Sequence, residues 1–444
     1  MVNYIRSQKP SPDQVKDIDV GAFAGDEWLK PVDEDDLLLQ YDIEGLTIDD
    51  DEKPQPTSEV ECLKAKLGVS EERARLAEEF LERTIDDLNK CRKELNSLLL
   101  GGVGGGRSKL PKLVEANGHD EEEEDHEGYF SSYAHYGIHE EMIKDKVRTD
   151  SYRSFIVNNP SLFKGARVLD VGCGTSILSM FATQAGAKEV IGVDNSEIAY
   201  QAMDIVMENK LKQTVNIQKG RAEDLKIEGK VDIIISEWMG YFLFYESMLD
   251  TVLYCRDNYL TEGGCIYPDR CNISVVALDD EELYSAKVSF WENVYGFKMG
   301  AMRKSVVEEP LIGVVKPEKI ISKPHVLKEF DLMKVSVKDL EFEAPFTLDI
   351  LQDGKINALV GYFDIDFERN AEHVVRFSTS PADTPTHWKQ TVFFFKEAIV
   401  VAKGEKIEGR LKCRKSKQDS RSLDVTVDIV KGETVVYHQK YSMG

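Results

Sequence analysis

The chain has 444 residues, 42% of them hydrophobic, with a formal net charge of −24 and a pI near 4.9. This length accommodates about two or three domains, and no apolar run approaches the roughly 18 residues of a membrane span. The acidic balance argues against direct nucleic-acid binding through a basic face, and it favours encounters with cationic proteins.

The start of the chain and its cysteines predict a reducing compartment. The first ten residues lack the apolar stretch of a secretory signal. The seven cysteines are scattered, with no C-x-x-C pair and no Cys/His zinc pattern. We therefore expect reduced thiols, no bound metal, and a location in the cytoplasm or the nucleus.

The first 127 residues differ in composition from the rest. Residues 1–58 carry acidic runs and are predicted to be largely disordered. Residues 59–100 place apolar side chains at the a and d positions of one heptad frame, which predicts a long helix. That helix would either pair as a coiled coil or pack against its own protein. Residues 101–127 combine a glycine run with consecutive acids, which is typical of a flexible linker.

A βαβ unit follows and gives the strongest local signal. The pattern predicts a strand at Val168–Val171, a tight loop at Gly172–Ser176, a helix at Ile177–Ala185 and a second strand closed by Asp194. A glycine loop followed by an acid about 20 residues later is the signature of a nucleotide-ribose site.

Individual residues indicate which nucleotide fits. A dinucleotide fingerprint requires glycine where this chain has Ile177. Asp170, at the end of the strand, would repel a pyrophosphate but suits a cofactor that carries an ammonium and a sulfonium, and Asp194 would bind both ribose hydroxyls. Glu223, after a third strand, could accept a hydrogen bond from an adenine amine. These residues favour S-adenosylmethionine, and a NAD-dependent oxidoreductase is the less favoured alternative.

The next strand, Val231–Ser236, leads into two glutamates, Glu237 and Glu246, which are separated by an aromatic loop. A hairpin would bring both carboxylates together, and such a pair repels unless a cation lies between them. From these residues alone, a pair of solvated surface acids explains the pattern as well as a functional pair does.

After Gly264 the pattern predicts a mostly antiparallel sheet or barrel. The predicted strands are Ile266–Leu278, Phe346–Leu351, Ile356–Phe367, Val374–Ser378, Val392–Phe395, Ile399–Val401 and Leu423–Ile429. A helical insertion at about Asp280–Met302 is rich in aromatic residues, which suggests an interface. Another aromatic group, at Tyr129–Tyr136, fits either a docking face for a planar ligand or the core, and we favour the core.

Six motifs now identify a family resemblance: YFSSY, VLDVGCGTS, GVD, SEWMGYFLFYESML, YPD and THW. From about residue 128 to the C-terminus the chain closely resembles the protein arginine methyltransferases. The resemblance implies a Rossmann-like α/β methyltransferase domain at 128–266 and a β-barrel domain at 267–444 with a helical dimerisation arm at about 280–308. The chain is similar to the zinc-finger-bearing branch but contains no finger, and Ser176 replaces a glycine. Because serine can start a helix, we expect adjusted cofactor binding rather than its loss.

The resemblance implies a defined set of site residues. Its catalytic residues would be Glu237, Glu246, His387 and Asp145. Its cofactor-binding residues would be Phe130, His139, Met142, Arg148, Asp170, Gly172, Gly174, Asp194 and Glu223. Its substrate-binding residues would be Tyr133, Met239, Tyr241 and Trp388.

The resemblance also implies a role for several of these residues. The two glutamates would hold the substrate guanidinium in bidentate geometry. Arg148 would pair with the methionine carboxylate of the cofactor, and Phe130 would lie over the adenosine. His387, with Asp145, would take the released proton. Met142 matches the members that make asymmetric dimethylarginine.

The expected function is therefore type I protein arginine N-methylation, which yields monomethylarginine and asymmetric dimethylarginine. The expected substrates are arginine-rich or Gly/Arg-rich proteins, with ribosomal proteins and histones as candidates, and the expected assembly is a homodimer through the arm. A catalytically weak interaction scaffold of the same fold is the second alternative.

Overall fold

The structure, a computed structural model, describes residue 130, residues 133–431 and residues 434–444. The predictions for residues 1–58, 59–100 and 101–127 lie outside the described residues. In the described part, a parallel sheet with flanking helices is followed by two antiparallel sheets. This agrees with the predicted fold class.

The parallel sheet has the strand order β3-β2-β1-β4-β5. Its strands are β1 (Arg167–Val171), β2 (Glu189–Asp194), β3 (Val215–Lys219), β4 (Val231–Ile235) and β5 (Leu260–Tyr267). The central strands β1 and β4 are buried at most positions because helices cover the sheet. The chain order reverses between β1 and β4, and in such sheets ligands bind beyond the carboxyl ends of the strands at that point.

The helices of this part place several site residues. They are α1 (Tyr136–Lys144), α2 (Lys146–Asn158), α3 (Pro160–Phe163), α4 (Ile177–Gln184), α5 (Ile198–Glu208) and α6 (Met248–Tyr259). Helix α2 buries Tyr152, Phe155 and Ile156 on one face. Its N-cap is Asp145, whose side chain accepts a hydrogen bond from the backbone of Arg148.

The antiparallel part contains a six-stranded sheet with the path β7-β12-β10-β6-β8, on which β11 pairs with β10, and a four-stranded sheet ordered β15-β14-β13-β9. The strands are β6 (Arg270–Leu278), β7 (Leu311–Gly313), β8 (His325–Asp331), β9 (Phe342–Asp349), β10 (Gly354–Phe367), β11 (Val375–Ser378), β12 (Gln390–Val401), β13 (Lys406–Lys415), β14 (Leu423–Lys431) and β15 (Thr434–Met443).

The helical insertion lies between β6 and β7. It consists of α7 (Glu281–Lys287), a 3-10 turn at Ser289–Glu292 and α8 (Gly300–Glu308). Apolar side chains on this segment reach solvent, and they are Phe290, Tyr295, Phe297, Met299 and Met302. We call residues 281–308 the arm.

Several strand predictions need correction. The predicted strand Ile266–Leu278 is two strands, β5 and β6, because Pro268 cannot donate to a sheet ladder. Val392–Phe395 and Ile399–Val401 form one strand, β12, which bulges against β10 near Ala358. Strands β7, β8, β13 and β15 were not predicted.

Among the described residues, no helix combines the length and apolarity required to cross a membrane.

The cysteines in the described part of the chain are buried and carry free thiols: Cys173, Cys255, Cys265, Cys271 and Cys413.

Candidate active site

A cavity of about 380 Å³ opens beyond the carboxyl ends of β1, β2 and β4. Most of the predicted site residues line it: Phe130, Tyr133, His139, Met142, Arg148, Gly172, Gly174, Asp194, Glu223, Glu237, Met239, Tyr241, Glu246, His387 and Trp388. We predicted that the aromatic group at Tyr129–Tyr136 belongs to the core, and this is wrong for its described members. Phe130 and Tyr133 face the cavity, and Tyr136 is 70% exposed.

The loop after β1 depends on its glycines. Gly172 has φ +69°, and a Cβ there would lie 2.2 Å from the terminal methyl of Met248. Gly174 has φ +51°, and its backbone N–H donates to Asp194 Oδ2 at 2.9 Å. Only glycine adopts such backbone geometry at no steric cost. The loop is thereby fixed to the end of β2 and packs closely against Met248.

Helix α4 starts directly after Ser176, as expected, but the Ser176 side chain does not cap it. Ser176 has φ +66°, in the left-handed region, and its side chain makes no cap hydrogen bond. The hydroxyl is buried and has no hydrogen-bond partner among the described residues. The position thus has the backbone geometry of a glycine, which is the residue expected there from the family motif.

Asp170 lies beneath the loop and does not line the cavity, which corrects the placement expected for a cofactor ligand. Its Oδ2 accepts a hydrogen bond from Ser179 Oγ at 2.7 Å, while Oδ1 has no partner in the described chain. Burial raises the pKa of Asp170 to about 7. The Asp170 carboxylate would therefore act on a bound cofactor only through its electrostatic field, without direct contact.

Two acids mark the end of the cavity nearest β2 and β3. The Asp194 carboxylate accepts hydrogen bonds from Gly174 and from the backbone and hydroxyl of Ser196 at 2.7–2.9 Å. Glu223 Oε1 accepts from Thr251 Oγ1 at 2.6 Å. These bonds orient both carboxylates and leave them lone pairs for hydroxyl or amine donors.

The loop after β4 carries both predicted glutamates and is strained. Its residues with positive φ are Phe242 (49°), Leu243 (69°), Glu246 (74°) and Ser247 (54°). A Cβ at Gly240 would lie 1.9 Å from the Tyr245 carbonyl oxygen, so the loop folds back closely on itself. Such conformations cost about 1–3 kcal/mol each and cluster at functional sites. Because this loop holds both glutamates, we call residues 236–247 the glutamate loop.

The positive charge beside Glu237 is a side chain of this protein, Arg148. Arg148 Nε donates to Glu237 Oε2 at 2.7 Å, and both side chains are less than 10% exposed. Arg148 Nη1 also donates to the Met142 carbonyl at 3.2 Å. Glu237 Oε1 accepts from the Met239 backbone at 3.3 Å. This ion pair joins residues that are far apart in the sequence, and it was not predicted.

Glu246 is held by the segment that precedes helix α1. Tyr133 Oη donates to Glu246 Oε2 at 2.7 Å, and the Tyr133 carbonyl lies 2.8 Å from His139 Nε2. Tyr241 lines the same cavity, and burial, followed by the charges of Glu141 and Glu246, raises its pKa. Glu141 also lines the cavity, and it was not predicted.

His387 and Asp145 form the predicted pair. His387 Nδ1 lies 2.7 Å from Asp145 Oδ2, which also accepts from the His387 backbone at 2.9 Å. Burial alone would raise the pKa of Asp145, but hydrogen bonds from the His387 side chain and backbone and from the Arg148 backbone lower it below its usual value. Trp388 Nε1 donates to the Met239 carbonyl at 2.8 Å, which ties this pair to the glutamate loop.

The turn between β13 and β14 also reaches the cavity. Lys415, Ser420 and Arg421 line it, and none of them was predicted. They are far from every motif in the sequence, and their own segment reads as a charged surface turn. No local signal could have placed them in the site.

Known proteins match this architecture. Residues 269–433 match the family described as the arginine methyltransferase oligomerization subdomain, and residues 162–310 match a methyltransferase domain. Protein arginine N-methyltransferase 1 of Chlamydomonas reinhardtii is 47% identical over 300 residues, which cover 67% of this chain and 87% of that protein. The chain belongs to the protein arginine methyltransferase family.

Other members of the arginine methyltransferase family agree with this assignment. Protein arginine N-methyltransferase 1 of Dictyostelium discoideum is 47% identical over 301 residues, covering 68% of this chain and 88% of that protein. Among solved structures, the Trypanosoma brucei PRMT1 enzyme-prozyme heterotetrameric complex with AdoHcy matches with a TM-score of 0.68 and 40% identity, over 71% of this chain and 100% of that one. Arabidopsis thaliana protein arginine methyltransferase 10 matches with a TM-score of 0.64 and 28% identity over the same shares.

Proposed function

We propose that this chain transfers methyl groups from S-adenosylmethionine to the guanidino nitrogens of arginine in proteins, giving monomethylarginine and asymmetric dimethylarginine. The proposal rests on the shape of the cavity. Asp194 and Glu223, the acids predicted to bind a nucleoside, lie at one end of it, and Glu237 and Glu246 line the same cavity. Membership of the arginine methyltransferase family, through relatives 47% identical, supports the same activity.

The donor set of the cavity fits the cofactor. Asp194 and Glu223 would hold the ribose hydroxyls and the adenine amine, and the backbone of Gly172 and Gly174 lines the same cavity. The described contact of Arg148 Nη2 is a long one, to the Met142 thioether at 4.0 Å. Arg148 can therefore still donate from Nη2 to the carboxylate of the cofactor. When bound, S-adenosylmethionine supplies an electrophilic methyl group on a sulfonium.

The acidic end recognises the substrate. A guanidinium has a pKa above about 12 and arrives charged, so two carboxylates both attract it and fix its plane. Glu246 is oriented by the Tyr133 hydroxyl, and Glu237 is oriented by Arg148 and the Met239 backbone. Arg148 offsets part of the charge of Glu237. The aromatic side chains beside the two acids exclude water and strengthen this attraction.

The His387–Asp145 pair fits a route for the proton that the methylated nitrogen releases. Asp145 Oδ2 favours the tautomer with hydrogen on Nδ1, which leaves Nε2 as an acceptor. The lowered pKa of Asp145 keeps this carboxylate ionised, so it would stabilise an imidazolium. Met142 lines the cavity beside Arg148, in agreement with its proposed role in asymmetric dimethylation.

The proposed assembly is a homodimer. The chain contains the family's oligomerization subdomain, and its arm exposes Tyr295 (98%) and Phe297 (71%). A second exposed apolar pair, Tyr200 and Met207, lies on helix α5, each residue 50% exposed. Two arms that each cover the partner's α5 face would bury both patches in a closed symmetric pair.

The finer assignments rest on sequence motifs. From the motif set and the N-terminal segments we also infer a similarity to protein arginine methyltransferase three. Arginine-rich or Gly/Arg-rich proteins in the cytoplasm or nucleus are the proposed substrates, with ribosomal proteins and histones as candidates. The net charge of −24 favours such cationic partners.

Methylation of a Gly/Arg-rich peptide tests the proposed activity. The full chain is incubated with S-adenosylmethionine, and mass spectrometry follows the addition of one and two methyl groups, with fragmentation to separate asymmetric from symmetric products. A peptide with lysine at every arginine is the matched control. Calorimetry with S-adenosylhomocysteine and with NAD tests the cofactor independently. Methylation of neither peptide, or tighter binding of NAD, would contradict the proposal.

A further inference from the structure

The turn between β13 and β14 is bonded directly to the glutamate loop. We call residues 416–422 the barrel turn. Arg421 Nη1 donates to the Glu246 carbonyl at 2.7 Å, and the Glu246 backbone N–H donates to the Arg421 carbonyl at 2.8 Å. Ser247 Oγ donates to the Ser420 carbonyl at 2.7 Å. These bonds join the barrel turn to Glu246 and Ser247, which follow the aromatic residues of the glutamate loop.

The residues held by these bonds are the strained ones. Glu246 and Ser247 are consecutive residues with φ of 74° and 54°, in the left-handed region that side chains other than glycine disfavour. Two such residues in succession persist only where the surroundings over-determine the backbone. The barrel turn supplies that restraint from outside the loop.

Arg421 also touches the far side of the cavity. Its guanidinium lies over the Phe130 ring, with 5.2 Å between the guanidinium carbon and the ring centroid. Its backbone is fixed in turn, because the Arg421 N–H donates to Asp419 Oδ1 at 2.8 Å. One side chain therefore bridges the segment before α1 and the glutamate loop.

We infer that Arg421 is a positioning residue for the reaction: it holds the Glu246 backbone in the conformation that presents the carboxylate to the substrate guanidinium. This inference rests on the proposed arginine methylation. The barrel domain would then complete a site whose acids come from the methyltransferase domain. Loss of the Arg421 side chain should slow methyl transfer much more than it weakens cofactor binding.

The test compares Arg421→Ala and Arg421→Lys with Lys417→Ala. Lys417 is an exposed cation on the same turn and does not line the cavity, so its removal is the matched control. For Arg421→Ala we expect kcat on an arginine peptide to fall about 10- to 100-fold, the effect of losing one charge-assisted hydrogen bond. The Kd for S-adenosylhomocysteine should rise by no more than about fivefold, the effect of one cation–π contact.

Arg421→Lys keeps a cation near Phe130 and a donor for the Glu246 carbonyl, so it should recover part of the kcat that Arg421→Ala loses. If Arg421→Ala does not fold, Ser247→Ala decides, because it removes the other side-chain bond to the turn and should lower kcat about 3- to 10-fold. A folded Arg421→Ala, or failing that a Ser247→Ala, with parental kcat would overturn the inference. If neither the parent nor Lys417→Ala methylates the peptide, the proposed function fails instead.

Discussion

At the scale of single residues, the ion pair between Arg148 and Glu237 separates the two glutamates chemically. Glu237 is buried against an internal cation, whereas the bond described for Glu246 is to the Tyr133 hydroxyl. Breaking a buried ion pair by removing one partner costs about 3–5 kcal/mol. The two glutamates should therefore respond differently to the same substitution.

Glu246→Gln should reduce catalysis while leaving the fold intact. We expect kcat on an arginine peptide to fall by at least about 100-fold, because the guanidinium loses one of its two carboxylate partners, and thermal stability to change by only a few degrees. Glu237→Gln should lower stability and cofactor affinity as well, because it leaves Arg148 without a carboxylate. Tyr133→Phe is the control that keeps both acids. Equal loss of stability in both glutamate variants would contradict this distinction.

Asp170 should make stability depend on pH. Its pKa is raised to about 7 in the folded chain by burial, against about 3.9 when unfolded. The folded state therefore binds the extra proton between these values, and stability falls as pH rises from about 4 to about 7. The loss attributable to this group is about 4 kcal/mol.

Asp170→Asn should flatten that part of the stability profile. Urea unfolding at pH 5 and pH 8 measures the slope in the parent and the variant. Asp150→Asn, a matched change on the exposed surface of α2, controls for the altered net charge. Parallel profiles of the parent and Asp170→Asn would show that Asp170 does not carry the effect.

At the scale of elements, sequence patterns predicted helices and strands well where the deciding residues are close together in the chain. The strand, glycine loop and helix around Gly172–Ser176 were predicted to within a residue or two, because glycine spacing and apolar runs act over short distances. Strand β13 was missed because charged residues alternate along its exposed face, which leaves no apolar run in the sequence. The contacts of Arg148 with Glu237 and of Arg421 with Glu246 join residues 89 and 175 positions apart, and only the fold brings them together.

The start of helix α4 offers a stabilising substitution. Ser176 adopts a left-handed backbone that costs roughly 1–2 kcal/mol for an L-residue, and it buries an unbonded hydroxyl. Ser176→Gly removes both costs, against about 0.5–1 kcal/mol of added chain entropy in the unfolded state. We expect a gain of about 1 kcal/mol in urea unfolding, with cofactor affinity retained. Ser176→Ala, which keeps a Cβ, should gain less, and a less stable Ser176→Gly would refute the strain argument.

At the scale of the whole molecule, the active-site acids are supplied by one domain and restrained by the next. The parallel sheet places the glutamate loop, and the barrel contributes His387, Trp388 and the barrel turn to the same cavity. The family's oligomerization subdomain begins at Asp269, directly after the parallel sheet ends.

The arm therefore gives the last prediction, which concerns assembly. Tyr295→Ala with Phe297→Ala removes its most exposed rings, while paired backbone hydrogen bonds between Val294 and Phe297 keep the turn. Sedimentation should show a dimer for the parent and a shift to monomer for the double variant, because burial of large aromatic side chains dominates interface energetics. Val400→Ala, at a 75% exposed position outside the arm, should sediment like the parent. A monomeric parent, or a double variant that dimerises as strongly, would show that the arm does not hold the subunits together.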